Sequence, residues 1–212
     1  MRVRINFDKT DAMRFTSHLD LYRSVERMLR RAELPLAYSQ GFKPHPKINI
    51  AAALPLGFTS TQDLMDIWLK EDIPLSRLLE ALRLNAPPGI KINSLEEIDP
   101  AHPTLQSEII SAEYLITFRE AQTNLADRVQ QFLNSDKIII NRRGKDFDIR
   151  QQIISLKLIA KEMSSLQQLQ AQFHTTPGFT GRPDDLLYAL NFNLVDTYIT
   201  RTRLLFKTSH TS

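Results

Sequence analysis

Apolar residues recur along this chain with two periods, and each change of period marks an element. Arg2 to Phe7 alternates, with Val3, Ile5 and Phe7 on one face, which predicts a half-buried strand. Leu21, Val25, Met28, Leu29 and Ala32 then follow helical spacing. Ser17 and Asp20, three apart, open that helix with a capping arrangement, and Pro35 bars its continuation. Residues 36–47 (LAYSQGFKPHPK) read as a loop. Ile48 to Leu54 is a short apolar strand, Pro55-Leu56-Gly57 a turn, and Leu64 to Leu69 the next strand. Pro74 suits the first turn of a helix carrying Leu75, Leu78, Leu79 and Leu82. Pro87-Pro88-Gly89 ends that helix, and Ile90 to Ile98 returns to strand. The order β-α-β-β-α-β is that of a ferredoxin-like, split βαβ unit.

Beyond a proline-punctuated joint, Asp99-Pro100-Ala101-His102-Pro103, a similar order begins again. Ile109 to Phe118 alternates, and residues 121–134 predict a helix with Leu125, Val129 and Phe132 inward. Lys137 to Asn141 and Asp148 to Ala160 read as strands around an Arg142-Arg143-Gly144-Lys145 turn, and Leu166 to Phe173 adds a further strand. Pro183 opens a helix with Leu186, Leu187 and Leu190, and Val195 to Phe206 alternates as a final strand. The expectation is an α+β chain of two tandem ferredoxin-like (βαββαβ) units with antiparallel sheets. Its parts are residues 1–98, a linker at 99–107, and an embellished second unit at 108–212. The repeat rests on element order; no identity between the halves is visible.

Composition narrows the chemistry. At 212 residues, 42% hydrophobic and 24% charged, the chain can build a core. With no cysteine it has no disulfide, thiolate metal site or cysteine nucleophile. No run reaches the roughly 18 apolar residues of a membrane span, and the N-terminus lacks the apolar stretch of a signal peptide. A cytoplasmic protein with no membrane association is expected. Phosphate-loop, dinucleotide, zinc-protease and nucleophile-elbow motifs are missing. The net charge of +3 is uneven: residues 1–50 hold ten Lys/Arg against five Asp/Glu, and residues 51–106 four against eight. That segregation predicts either an anion-binding face in the first unit or an ordinary solvated surface.

Three stretches carry candidate chemistry. Ser17, His18 and Asp20 open the first helix, whose free N–H groups suit a phosphate or carboxylate; the plain alternative is a cap with an exposed His18. Arg23, Arg27, Arg30 and Arg31 fall on one face of the same helix, suited to phosphate contact, to an acidic partner, or simply to solubility. Tyr38, Gln40, Phe42, Lys43, His45 and Lys47 lie in a loop stiffened by Pro44 and Pro46. Aromatics interleaved with cations match the way single-stranded RNA is held, while Tyr38 and Phe42 could instead pack a rigid crossover. His18 and His45 are also candidates for an acid–base pair. With Asp20 they could form a two-His-one-carboxylate site, but Asp20 has a competing capping role, so no metal or cofactor is expected.

At these same places the sequence resembles a bacterial family of unknown function, the radical SAM-linked proteins. The matching strings are Arg14-Phe15-Thr16-Ser17-His18-Leu19-Asp20, Arg27 to Ala32, Tyr38 to Ile48, and Leu54-Pro55-Leu56-Gly57; Lys43 stands where Asn is common in the family. The resemblance implies partnership with a radical SAM enzyme, since members occur alone or as a C-terminal extension of one. This chain has no cysteine and so lacks the cluster-binding motif of that enzyme. The expected function is a non-enzymatic accessory module that binds RNA, such as tRNA or rRNA, for a radical SAM modifying enzyme. The alternatives are a small enzyme acting on RNA or a nucleotide through His18 and His45, and a protein–protein adaptor for the radical SAM partner.

Overall fold

Residues 1–142, 144–159, 166–176 and 178–207 are described by a computed structural model, which divides into two compact units, Met1–Glu108 and Ile109–Ser212. In the first unit the alternating start of the chain is β1 (Arg2–Lys9), with Val3, Ile5 and Phe7 fully buried. A short 3-10 turn, Asp11–Met13, leads to α1 (His18–Arg31). The helix buries Leu21, Val25, Met28 and Leu29, four of the five residues that its spacing predicts; the fifth, Ala32, is the half-buried C-cap beyond the helix. β2 (Ile48–Ile50), β3 (Phe58–Trp68), α2 (Leu75–Asn85), β4 (Ile90–Ile98) and α3 (Leu105–Glu108) follow. The strands order as β2-β3-β1-β4, each pair antiparallel. Both longer helices send their apolar stripes into one core with β1 and β3, centred on Ile5, Val25, Met65, Ile67, Leu78 and Leu82.

Two bounds differ from the sequence expectation. β2 stops at Ile50, and β3 begins at Phe58 rather than Leu64. The early part of β3 is polar, and its register against β1 shifts between Phe7 opposite Asp63 and Lys9 opposite Ser60. Gln62 sits there at φ 59°, so the bulge erases the alternation that would mark the strand. Residues 99–107 are held rather than loose. The Arg2 guanidinium donates to the carbonyl of His102 and, at 2.7 Å, to that of Pro103, while Gln106 Nε2 donates to the Ile50 carbonyl at 2.6 Å.

The second unit contains β5 (Ile109–Phe118), α4 (Leu125–Asn134), β6 (Ile139–Arg142), β7 (Lys145–Asp148), β8 (Ile153–Ile159), β9 (Gln168–Thr176), β10 (Phe179–Thr180), α5 (Pro183–Ala189) and β11 (Thr197–Phe206). Its main strands order as β8-β9-β5-β11, again antiparallel, with β10 on β9 and a separate β6–β7 pair. α4 starts at Leu125, four residues later than predicted, because Asn124 before it takes left-handed backbone at φ 65°. Arg143 and Ala160, read above as part of a turn and a strand end, lie outside the described residues. The molecule is therefore mixed α and β, mostly antiparallel in its strand pairing, with five helices among the described residues. None of these helices is long and apolar enough to cross a membrane.

Candidate functional site

Ser17 precedes α1 in extended backbone, at φ −67° and ψ 164°. Its Oγ accepts from the Asp20 N–H at 3.2 Å and donates to the Asp20 carboxylate at 2.7 Å. The capping role of both residues is thus filled, and the Asp20 charge sits at the positive end of the helix dipole. His18, the first helical residue, is exposed.

The turn ahead of Ser17 is pinned from below by a residue that the sequence reading passed over. Lys9 is 1% exposed, and its ammonium donates to the carbonyls of Thr16 at 3.1 Å and of Arg14 and Phe58 at 3.4 Å. Arg14 Nε donates to the Gly57 carbonyl at 2.6 Å, and the Gly57 N–H returns to Arg14 at 2.9 Å. This clamp leaves Phe15 76% exposed, with Leu19 and Leu56 also exposed. The Phe15 ring lies against Gly57, where a Cβ would stand 3.8 Å from it. No periodic signal marks this apolar patch, because Phe15 precedes the helix and Leu56 belongs to a turn.

The 38–46 segment closes on itself. Tyr38 bridges Pro46, the Ser39 N–H donates to the His45 carbonyl at 2.8 Å, and the His45 N–H donates to Ser39 Oγ at 3.0 Å. Tyr22 of α1 donates to the Pro46 carbonyl at 3.1 Å. Burial, reinforced by the Glu26 carboxylate, raises the Tyr22 pKa above its usual 10.0, so the hydroxyl keeps its proton at neutral pH. Tyr22 stands one helical turn beyond His18, and Pro46 follows His45. This bond therefore brings the two histidine-bearing segments into one neighbourhood. Past the clamp, Gln40, Gly41, Phe42, Lys43 and Pro44 are exposed, and so are His45 and Lys47. Gly41 turns the chain at φ 123°, open to glycine and strained for other residues, and Phe42 beside it is fully exposed. Tyr38 is half-buried, with the Lys70 ammonium 5.8 Å from its ring centre.

The basic charge is less concentrated than the sequence suggests. Arg2 and Arg4 are turned onto the fully buried Asp66. Arg2 donates at 2.6 and 3.1 Å and Arg4 at 2.9 and 3.1 Å, so two of the ten cations in residues 1–50 are turned inward onto one carboxylate. On α1, Arg30 pairs with Glu26 at 2.7 Å and Arg23 meets Asp20 at 3.5 Å. Arg31 donates to the Asn85 carbonyl at the end of α2, 2.7 Å away, on the flank opposite the loop. Arg27 bonds to Ser24 Oγ at 3.3 Å and makes no ion pair among the described residues. The exposed cations in or beside the loop are Lys43, Lys47 and Lys70, and Arg27 is exposed on the helix. Among the described residues, no group of three His, Asp or Glu is placed to hold a metal ion.

Residues 2–177 match the family described as "uncharacterized protein conserved in bacteria" (DUF2344). The chain belongs to this family. No curated protein matches it in sequence. A chain in the crystal structure of a Cbf5-Nop10-Gar1 complex is similar in fold, with TM-score 0.51 and 11% identity over 95% of this chain and 48% of that one. A chain in the structure of an H/ACA RNP bound to a substrate RNA containing 2'-deoxyuridine gives TM-score 0.49 and 12% identity, covering 95% and 47%. This chain thus spans about half the length of either matched chain.

Proposed function

We propose that this member of the family is a non-enzymatic RNA-binding module. It holds a single-stranded or looped RNA segment on its first unit, across α1 and the 38–46 loop. The observation that carries the reading is Phe42. The loop beneath it is clamped by three local contacts and tied to α1, yet its tip offers a bare aromatic ring with Lys43 next to it. An aromatic ring on a stiff stalk beside a cation is the arrangement that stacks a base and neutralises a phosphate. Lys47, Arg27 and the α1 N-terminus extend the same chemistry, and His18, His45, Gln40 and Tyr38 supply donors and a second ring. Tyr38 and Gln40 bind the base edge or stack below it, while Ser17 and Asp20 hold the helix end in place. Each unit is read as ferredoxin-like, with bounds at 1–98 and 108–212. In support, both units place their four main strands in the same permutation of chain order. The partnership with a radical SAM enzyme rests on the resemblance of residues 14–57.

The test is binding of a short fluorescent single-stranded RNA to the full chain at low salt. Phe42→Ala weakens binding by about 1–3 kcal/mol per stacked base, and Phe42→Trp restores it. No binding at low salt overturns the reading. His18→Ala and His45→Ala weaken binding with no product formed. Product formed by the wild type and lost in either variant, with binding intact, transfers the site to the enzyme reading. A second reading, the adaptor, is favoured by exposed Phe15, Leu19 and Leu56. Recovery of a radical SAM enzyme with the tagged chain, lost in Phe15→Ser, supports it.

A further inference from the structure

Building on the RNA reading, we propose that the open face of the second unit's sheet is a further contact surface for single-stranded RNA. Arg119 and Tyr198 stack a base there, Lys157 meets phosphate, and Gln170 reads a base edge. The strands β8, β9, β5 and β11 have two unlike sides. Tyr114, Ile116 and Phe118 of β5, with Leu169, Ala171 and Phe173 of β9, are buried. On the opposite side Leu115, Thr117, Gln168, Gln170, Lys157 and Tyr198 are half-buried or exposed. Four strands about 4.8 Å apart make a platform about 15 Å wide, room for two or three nucleotides.

Strand pairing fixes which side chains stand beside one another. One row across the sheet runs Tyr198, Thr117, Gln168 and Ile159, and the next runs Thr200, Leu115, Gln170 and Lys157. Gln168 Nε2 donates to Thr117 Oγ1 at 3.0 Å, and Gln172 Nε2 donates to Ser111 Oγ at 3.0 Å. Both glutamines are thus anchored to β5. Gln170, between them, is exposed, and its amide makes no side-chain hydrogen bond among the described residues. It lines a depression of about 290 Å³ together with Leu115, Ile159, Thr202, Glu113 and Arg203. Leu115 and Ile159 offer the flat of a base an apolar floor, while Gln170 offers its edge a donor and an acceptor.

Charge decides the occupant. Glu113 is the one carboxylate in the sequences of these four strands, and Arg203 neutralises it at 2.9 Å. Lys157 is exposed and makes no ion pair among the described residues. Arg119, directly after β5, is exposed and equally without an ion pair among them. Its guanidinium lies 4.3 Å from the centre of the Tyr198 ring, which is itself 43% exposed. Cations whose carboxylates are absent or spent attract a polyanion. Arginine planes and aromatic rings are the two kinds of side-chain surface on which unpaired bases stack. A single strand of RNA engages the whole set: base faces on Arg119, Tyr198 and the apolar floor, base edges on Gln170, and phosphate on Lys157.

The experiment measures binding of a single-stranded RNA of about twelve nucleotides to the full chain across a range of salt, with photo-cross-linking from 4-thiouridine placed in the same strand. Arg119→Ala and Tyr198→Ala each weaken binding about tenfold. Lys157→Ala flattens the slope of log K against log salt by about 0.7. Gln170→Leu changes the ratio of affinities for oligo-A and oligo-U, which Lys157→Ala lowers alike. Arg119 and Lys157 are exposed, so their variants melt like wild type. Cross-links confined to residues 38–46, wild-type binding by both Arg119→Ala and Lys157→Ala, or no binding at low salt would each overturn the surface. Phe42→Ala in the same assay separates the two sites. If it is silent while Arg119→Ala and Lys157→Ala weaken binding, the loop loses its role and the sheet keeps its own. The reverse pattern keeps the loop and removes the sheet.

Discussion

Asp66 accepts four hydrogen bonds from Arg2 and Arg4 at full burial, and neither its identity nor its place in an apolar strand announces that role. Removing one partner of a buried ion pair strands the other charge, so Asp66→Ala costs about 3–5 kcal/mol in a denaturant melt. Ser17 was readable as a cap because Asp20 follows at the right spacing. Its loss in Ser17→Ala destabilises by about 1 kcal/mol, measurable in the same assay. Asp185 behaves differently from both. Burial, with Asp184 beside it, raises its pKa above the usual 3.8, against the pull of Arg142 and Arg182. The folded state therefore holds this proton more tightly than the unfolded chain does. Stability attributable to Asp185 is full below the ordinary carboxylate range and is lost as pH rises through the raised folded value. Urea titrations of wild type and Asp185→Asn across that window will show wild type gaining on the variant as pH falls. The Asp66 pairing escapes sequence reading because its partners are more than 60 places away in the chain, so Arg2 and Arg4 count toward the basic excess of residues 1–50 although they are turned inward.

Helix α1 was legible almost to the residue: its cap and its stripe follow local rules, and Ala32, read as its last residue, is its C-cap. The loop after it was legible as a stiff, aromatic and basic segment, but not its closure onto Tyr22, which depends on one hydroxyl 24 positions away from the carbonyl it meets. Tyr22→Phe removes that bond and costs about 1 kcal/mol. Because the bond ties loop to helix, backbone amide exchange in residues 39–45 will quicken in this variant while exchange in α1 stays unchanged. Strand β3 shows the opposite failure. Its first half is polar and bulged, so period-two reading recovered only the apolar half from Leu64.

For the whole molecule, the order of the main strands and helices in the first unit came through from periodicity and proline punctuation, since those signals are local. In the second, the stretch from Asp148 read as one strand is the end of β7, a 3-10 turn at Arg150–Gln152 and then β8, and β10 went unread. The location of charge did not come through either. The exposed cations that remain set the salt response: each phosphate neutralised on a single strand contributes a slope of about −0.7 in log K against log salt. Replacing Arg27, Lys43 and Lys47 together by Ala will therefore flatten the slope for RNA by about two, with each substitution within about 0.5 kcal/mol of neutral for stability. Arg30→Ala, already paired with Glu26, will change it far less. The hold of Arg2 on the carbonyls of His102 and Pro103 has a consequence in time rather than in energy. The second residue of this sequence waits for residues about a hundred places later. A ribosome making it must therefore release β3 before Arg2 and Arg4 meet their carboxylate, and residues past 103 before Arg2 has all its acceptors. Until β3 emerges, β1 has neither a strand partner nor Asp66 to meet its two arginines. The interval when the nascent chain most needs shielding runs from the release of β1 to that of β3, and the carbonyl of Pro103 closes it.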